Sequence, residues 1–346
     1  MANELYVLGA GASKAARETP LGNELLWNYI AGTNFMTKVQ DDGSADNRMD
    51  DNKNSTFVQF LEKIETHFPT QKGIVEKFLK RDFEFFMPDI RDKELFADEL
   101  LRFALRKGDL DFYEIIKRLI YQHLNESHSV MLQPKYDLYE EFAKYLILQS
   151  ESNVISMNFD TLLYSVSLKG KNYIFDYGFK VGEDHRTIPI DSIAYICKMI
   201  KLHGSFDWKY CYKCNKMTLS SPHQRYYDYE SERCYSCKTA LKPYFIVPFD
   251  KKLIEYEKML FDQAKELISN AQKIHIIGYS FPEYDQDVIT LLKNAVNPRS
   301  EIIIVDKATE SHRNTIMNKM GKIIPNTRIS LYLDGFEKYF TEVLSS

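Results

Sequence analysis

Two Cys-x-x-Cys pairs, Cys211/Cys214 and Cys234/Cys237, stand 19 residues apart. Thiolates at that spacing suit a tetrahedral zinc site. Four of them fill every coordination position, so the metal is expected to be structural. Just before the first pair, Leu202-His203-Gly204 sets an imidazole at the end of the run YICKMIKL, beside a glycine that permits close approach. His203 is a candidate general base, with a hydrogen-bonded structural histidine as the plainer alternative. Asn158 and Asp160 close the run NVISMNFD. Asn158 carries a donor and an acceptor that could orient a sugar hydroxyl or an attacking water. Asp160 stands equally well as the N-cap of a following helix, TLLYSV.

The N-terminal run ELYVL leads directly into Gly9-Ala10-Gly11-Ala12-Ser13 and a helical pattern. Strand, Gly-x-Gly-x-Ser and helix describe a turn whose backbone N–H groups approach a phosphate, helped by the positive end of the helix. Lys14-Ala15-Ala16 stands where the dinucleotide fingerprint has its third glycine. A packing turn without ligand is therefore the alternative. Asp285, in FPEYDQD, reads as the N-cap of the next helix rather than as a neighbour of the ligand.

The elements that must position these residues follow from hydrophobic patterning. KIHIIGYSF, QDVITLLKNAV and EIIIVDK alternate strand, helix and strand with continuous apolar cores. This predicts an α/β fold, a Rossmann-like parallel sheet with helices on both faces. Residues 57–150 repeat apolar positions at helical spacing. The expected organisation is a Rossmann-like domain from 1–36, 151–210 and 238–346, a mainly helical insert over 37–150 and a zinc-ribbon module over 211–237. Residues 37–56 read as an exposed acidic loop.

The 346 residues carry a formal net charge of -4, with 44% hydrophobic and 27% charged residues. These are values of an ordinary globular chain with no overall nucleic-acid signature. A local exception is the zinc module, where Lys209, Lys213, Lys216 and Arg225 interleave with Trp208, Tyr210, Tyr212, Tyr226 and Tyr227. Nucleic-acid binding there is the lesser expectation beside aromatic packing over the metal. MANELYVLGAGAS has no basic leader, no apolar run reaches membrane-spanning length, and paired cysteines suit a reducing compartment. A cytoplasmic protein without membrane partners is expected.

Taken together, the Gly9–Ser13 turn, Asn158-Phe159-Asp160, Leu202-His203-Gly204, the two cysteine pairs and Gly278-Tyr279-Ser280 follow the order seen in sirtuins. The chain resembles that family, and within it the bacterial branch similar to NAD hydrolases of antiviral defence. The resemblance implies an NAD site in which Gly9, Ala10, Gly11, Ala12 and Ser13 cradle the pyrophosphate. Gly278 and Ser280 would form a cofactor turn, and Asp306 would hold the adenosine ribose. Asn158, Asp160 and His203 would be catalytic, and zinc would be bound by Cys211, Cys214, Cys234 and Cys237. The implied activity is hydrolysis of NAD to nicotinamide and ADP-ribose, under control of a homo-oligomer or a regulatory protein. Protein deacylation or ADP-ribosyl transfer, and a non-catalytic NAD or ADP-ribose sensor, are the alternatives. Two departures disfavour deacylation. ARETPLGNELL replaces the Gly-Ile-Pro-x-Phe-Arg segment of deacylases, and IVPFDKK replaces their Phe-Gly-Glu segment.

Overall fold

A computed structural model describes residues 3–17, 51–69, 72–73, 75–76, 97–131, 138–149, 152–161, 163, 173–178, 195–220, 232–245, 255–282, 285–325 and 327–345. The strands are β1 (Glu4–Leu8), β2 (Asn153–Ser156), β3 (Tyr173–Asp176), β4 (Tyr195–Lys201), β5 (Gly204–Cys211), β6 (Lys216–Leu219), β7 (Lys242–Phe245), β8 (Lys273–Ile277), β9 (Glu301–Val305) and β10 (Arg328–Tyr332). The helices are α1 (Ala10–Arg17), α2 (Asp51–His67), α3 (Ala97–Lys107), α4 (Leu110–Met131), α5 (Leu138–Leu148), α6 (Glu255–Asn270), α7 (Gln286–Ala295), α8 (Glu310–Ile323) and α9 (Phe336–Tyr339). The chain forms two compact units: Met1–Thr19, His128–Ile246 and Asp250–Ser346 in one, Pro20–Ser127 and Val247–Phe249 in the other.

The larger unit is built on a seven-stranded, all-parallel sheet of order β10-β9-β8-β1-β2-β4-β3. Four of the five residues in both β1 and β8 are buried, as expected of strands covered on both faces. Helices supply the cover at helical spacing: Leu260, Ala264 and Ile268 on α6, Phe142 and Leu146 on α5, Val288, Leu291, Leu292 and Ala295 on α7. The chain leaves β1 toward β2 on one side and later returns to β8 on the other. The order therefore reverses between β1 and β8, where open parallel sheets bind ligands beyond the carboxyl ends of their strands.

Register decides what arrives at that edge. Leu8 pairs with Ser156 and Ile277, Ser156 with Lys201, and Ile277 with Val305, one row across five strands. The ladder continues one step beyond it, with Met157 N–H donating to Leu8 O, Leu202 N–H to Ser156 O, Gly9 N–H to Ile277 O and Gly278 N–H to Val305 O. Gly9, Asn158, His203, Gly278 and Asp306 thus leave the sheet at nearly one level.

A second sheet in the same unit is antiparallel, of order β6-β5-β7. Trp208, Lys209 and Tyr210 on β5 are buried. The interleaved basic and aromatic face expected around them is therefore reduced to the exposed Tyr212, Lys213 and Lys216. A strand packed on both sides has no solvent face to give a cation. Arg225, Tyr226 and Tyr227 lie outside the described residues.

In the smaller unit Phe60, Leu61 and Ile64 of α2, Leu100, Leu101 and Ala104 of α3, and Phe112 and Ile116 of α4 are fully buried. Asp109 caps α4 by accepting the Phe112 amide at 3.0 Å. Lys63 of α2 donates to the same carboxylate at 2.7 Å, and this bond first, then the amide, draws Asp109 well below the usual carboxylate range. Among the described residues no helix is long and apolar enough to cross a membrane.

The tightest constraint in the sheet is backbone against backbone. A Cβ on Gly9 would lie 2.5 Å from Gly278 O, and one on Gly11 2.9 Å from Gly278 Cα. Gly278, at φ +62, would place its own Cβ 2.3 Å from the Ala12 nitrogen. Gly278→Ala adds both a left-handed strain and a backbone clash that no rotamer relieves. It is expected to destabilise the chain by at least about 2 kcal/mol. A urea titration with an unchanged midpoint would contradict this packing.

Candidate functional site

The glycine turn is committed largely to its own fold. Gly11 N–H donates to Gly278 O and Ala12 N–H to Gly9 O, each at 2.9 Å. The amides of Gly9, Gly11 and Ala12, which a phosphate cradle would use, are engaged with backbone carbonyls. Gly9 and Gly11 are glycines because Gly278 and Tyr279, just past the end of β8, lie against them. The positive end of α1 remains at this edge.

Asn158 is buried one step beyond the sheet and reaches back to that turn. Its Nδ2 lies 2.9 Å from Gly9 O and 2.8 Å from Ser13 Oγ. A carbonyl only accepts, so the nitrogen of the carboxamide must face Gly9 and both its hydrogens are used. What Asn158 leaves uncommitted is its oxygen. Ser13 Oγ gives its one hydrogen to Asp160 Oδ2 at 2.7 Å, so the Tyr139 hydroxyl at 2.9 Å is the donor in that contact. Ser13 is thereby a buried junction between Asn158, Asp160 and Tyr139.

One residue that sequence reasoning passed over supports this segment. Lys201, the last residue of β4, is fully buried and donates from Nζ to Asp160 O. Burial holds its ammonium below the usual lysine range, against the pull of Asp160 and Asp207. Burial likewise pushes the Asp207 carboxyl up, opposed by Lys201. The bond from Lys201 to Asp160 O restricts how the Asn158–Asp160 segment can lie. The helix for which Asp160 would be a cap lies largely outside the described residues.

His203 occupies the corner where the parallel sheet becomes the antiparallel one: β4 ends at Lys201 and β5 starts at Gly204. Gly204, at φ +74, would set a Cβ 2.4 Å from Tyr244 O, so the next sheet pins the corner from behind. The ring lies with Nδ1 3.2 Å from Met157 O, the residue before Asn158. Nδ1 therefore carries the hydrogen in the neutral ring, and Nε2 is the basic nitrogen.

Asp285 departs from its expected role. It holds the N-cap position of α7 but makes no side-chain cap bond. Its carboxylate instead accepts the Tyr279 hydroxyl at 2.6 Å and places Oδ1 3.5 Å from His203 Nε2. A backbone cap and a partner to histidine share one position and one residue type, so FPEYDQD alone could not separate them. Ser280 and Asp306 stand apart from this bonded set among the described residues. Ser280 is exposed, with its carbonyl accepting from Lys319 Nζ at 2.8 Å. Asp306 Oδ1 accepts the amide of Lys307 at 2.8 Å.

The four cysteines converge. Their sulfurs lie within 4.8 Å of one another, with Cys211–Cys237 at 3.4 Å and Cys214–Cys234 at 3.8 Å. Zinc–sulfur bonds of about 2.3 Å give tetrahedral edges of roughly 3.8 Å, so the donor set fits zinc. Each knuckle turns through a left-handed residue after its second cysteine, Asn215 at φ 53 and Lys238 at φ 60. The hydroxyl and amide of Thr239 draw Cys237 down to about 6, while its contact with Cys237 pushes Cys214 up to about 12. Four sulfurs this close need a cation before all can be thiolates. Cys197, by contrast, is buried in β4, and burial pushes its thiol up to about 12.

Residues 189–282 match the model of the Sir2 family. No curated protein matches the chain. Among solved structures, Sir2Tm bound to a propionylated peptide is similar at 19% identity over 68% of this chain and 81% of that one, with a TM-score of 0.38. A Sir2 homolog in complex with NAD matches at 18% identity over 75% of this chain and 82% of that chain, with a TM-score of 0.42. A structure described for sirtuin substrate affinity matches at 15% over 99% and 93%, also at 0.42. The family match takes in His203, the four cysteines, Gly278 and Ser280, whereas the Gly9 turn and Asn158 precede it. Over residues 189–282 the chain is similar to the Sir2 family.

Proposed function

We propose that this chain hydrolyses NAD to nicotinamide and ADP-ribose, with zinc held as a structural ion by Cys211, Cys214, Cys234 and Cys237. The observation that carries the proposal is that Asn158 and His203 are each anchored to a backbone carbonyl at the exits of the adjoining strands β2 and β4. One is anchored by its amide to Gly9 O, the other by Nδ1 to Met157 O, so that an acceptor oxygen and a basic nitrogen come from adjoining residues of two strands. Scission of the nicotinamide–ribose bond of NAD develops positive charge on the sugar carbon and requires an aligned nucleophile. Asn158 Oδ1 orients a hydroxyl or water by accepting its hydrogen. His203 Nε2 takes the proton from that oxygen, a contribution of typically 10²–10⁴-fold. Asp160, through Ser13, keeps the carboxamide from rotating. These groups fit the sugar end of a dinucleotide. Its phosphates would rely on the positive end of α1 rather than on the Gly11 amide. Asp306 and Ser280, exits of the next two strands, are the candidates for the adenosine side. The segments that depart from the deacylase pattern, 16–26 and 246–252, lie largely or wholly outside the described residues.

Purified chain given NAD alone is expected to release nicotinamide. Release only with an acyl-lysine peptide present would replace hydrolysis by deacylation, and binding without release would leave a sensor. Asn158→Ala, which also leaves Gly9 O without its donor, and His203→Ala should each lower the release at least about 10²-fold in protein that circular dichroism shows to be folded. Wild-type turnover in either would remove that residue from the chemistry. One zinc per chain is expected by elemental measurement. Cys234→Ser should lose the metal and lower the melting temperature, and full zinc content in that variant would refute the four-sulfur site.

A further inference from the structure

The contact between Asp285 and His203 goes beyond the two catalytic groups just assigned. Asp285 is 9% exposed, and a carboxylate so far from water needs partners. Tyr279, itself buried, donates to Oδ2 and fixes the direction of the group. Oδ1 then faces His203 Nε2 at 3.5 Å. Oδ1 is a carboxylate oxygen beside the nitrogen that takes the proton, so it attracts the ring more strongly once that proton has arrived. A proton on Nε2 converts the same contact into an ion pair.

We infer that Asp285 is a positioning residue that acts through His203, holding the imidazolium formed when the ring accepts a proton, with Tyr279 aiming the carboxylate. The inference rests on the hydrolase proposal for its kinetic consequence and on geometry alone for the pair. In the step it serves, the O–H bond of water breaks and the proton bonds to Nε2. The oxygen keeps the electron pair and forms its bond to the sugar carbon as the bond to nicotinamide breaks. The imidazolium later returns its proton to solvent, so hydrolysis releases one proton. Phe159, whose ring centroid lies 6.2 Å from that of His203, packs nearby without adding charge.

Asp285→Asn retains the shape and an acceptor for Tyr279 while removing the charge. It is expected to lower kcat at least about 10-fold, a fraction of what a general base supplies, with KM for NAD changed less than about twofold. Asp285→Glu should recover part of the loss, and Tyr279→Phe should show a smaller one. Nitrogen NMR of the His203 ring, assigned by the signal missing in His203→Gln, supplies a readout that needs no turnover. The wild-type ring should carry its neutral-state hydrogen on Nδ1. The Nε2 signal should differ between wild type and Asp285→Asn, because the oxygen nearest that nitrogen loses its charge. An unmoved Nε2 signal, or a kcat within twofold of wild type in an enzyme that does turn over, overturns the inference. If the wild type releases no nicotinamide, the hydrolase proposal fails while the ring signal still decides the pair.

Discussion

Backbone contact between Gly9, Gly11 and Gly278 is the constraint on which the arrangement of the site depends. Each of these glycines would drive a Cβ within 3 Å of atoms on the opposite segment. That approach brings the exit of β1 against the exit of β8, at the point where the strand order reverses. It also sets the carbonyl of Gly9 where Asn158 can reach it. The glycines that look like a phosphate cradle are thus, first, a packing device. Their amides are largely consumed in making it.

From that contact the site closes into a loop of short interactions. Gly9 O holds the Asn158 amide, Met157 O faces the His203 ring, His203 faces Asp285, and Asp285 accepts from Tyr279, the residue after Gly278. Three strand exits, those of β1, β2 and β8, and the corner after β4 are tied together by groups that can each be satisfied in only one orientation. The consequence is chemical. The carboxamide is left with its oxygen uncommitted, and the imidazole with Nε2 as the basic nitrogen. Both anchors are backbone carbonyls, so the polarity of the site is fixed by the sheet rather than by side chains free to rotate.

The zinc module belongs to the same mechanical problem. Its central strand, β5, begins one residue after His203, and its packing buries Trp208 and Tyr210 in the core of the larger unit. The four sulfurs fasten the far end of that strand. A histidine at the corner between two sheets is held from both sides, which explains why a catalytic candidate and a structural metal lie so near in sequence.

Apolar runs ending in Gly, Asn-x-Asp, His-Gly and Gly-Tyr-Ser determined the parallel sheet and the edge on which candidate residues emerge. Two Cys-x-x-Cys pairs determined the metal module, because these are local patterns with one structural solution each. What a residue does at that edge was decided elsewhere. Lys209 belongs to a basic-looking stretch yet is buried, since both faces of β5 are covered by distant segments. Ser13 has the position of a phosphate ligand but spends its hydrogen on Asp160, 147 residues away. Asp285 has the sequence signature of a cap, and its partnership with His203 exists only because parallel register brings β4 and β8 to a common level. Local sequence fixes which groups are present and near which strand end. Hydrogen-bond direction and long-range register, which depend on atoms far along the chain, assign each group its partner.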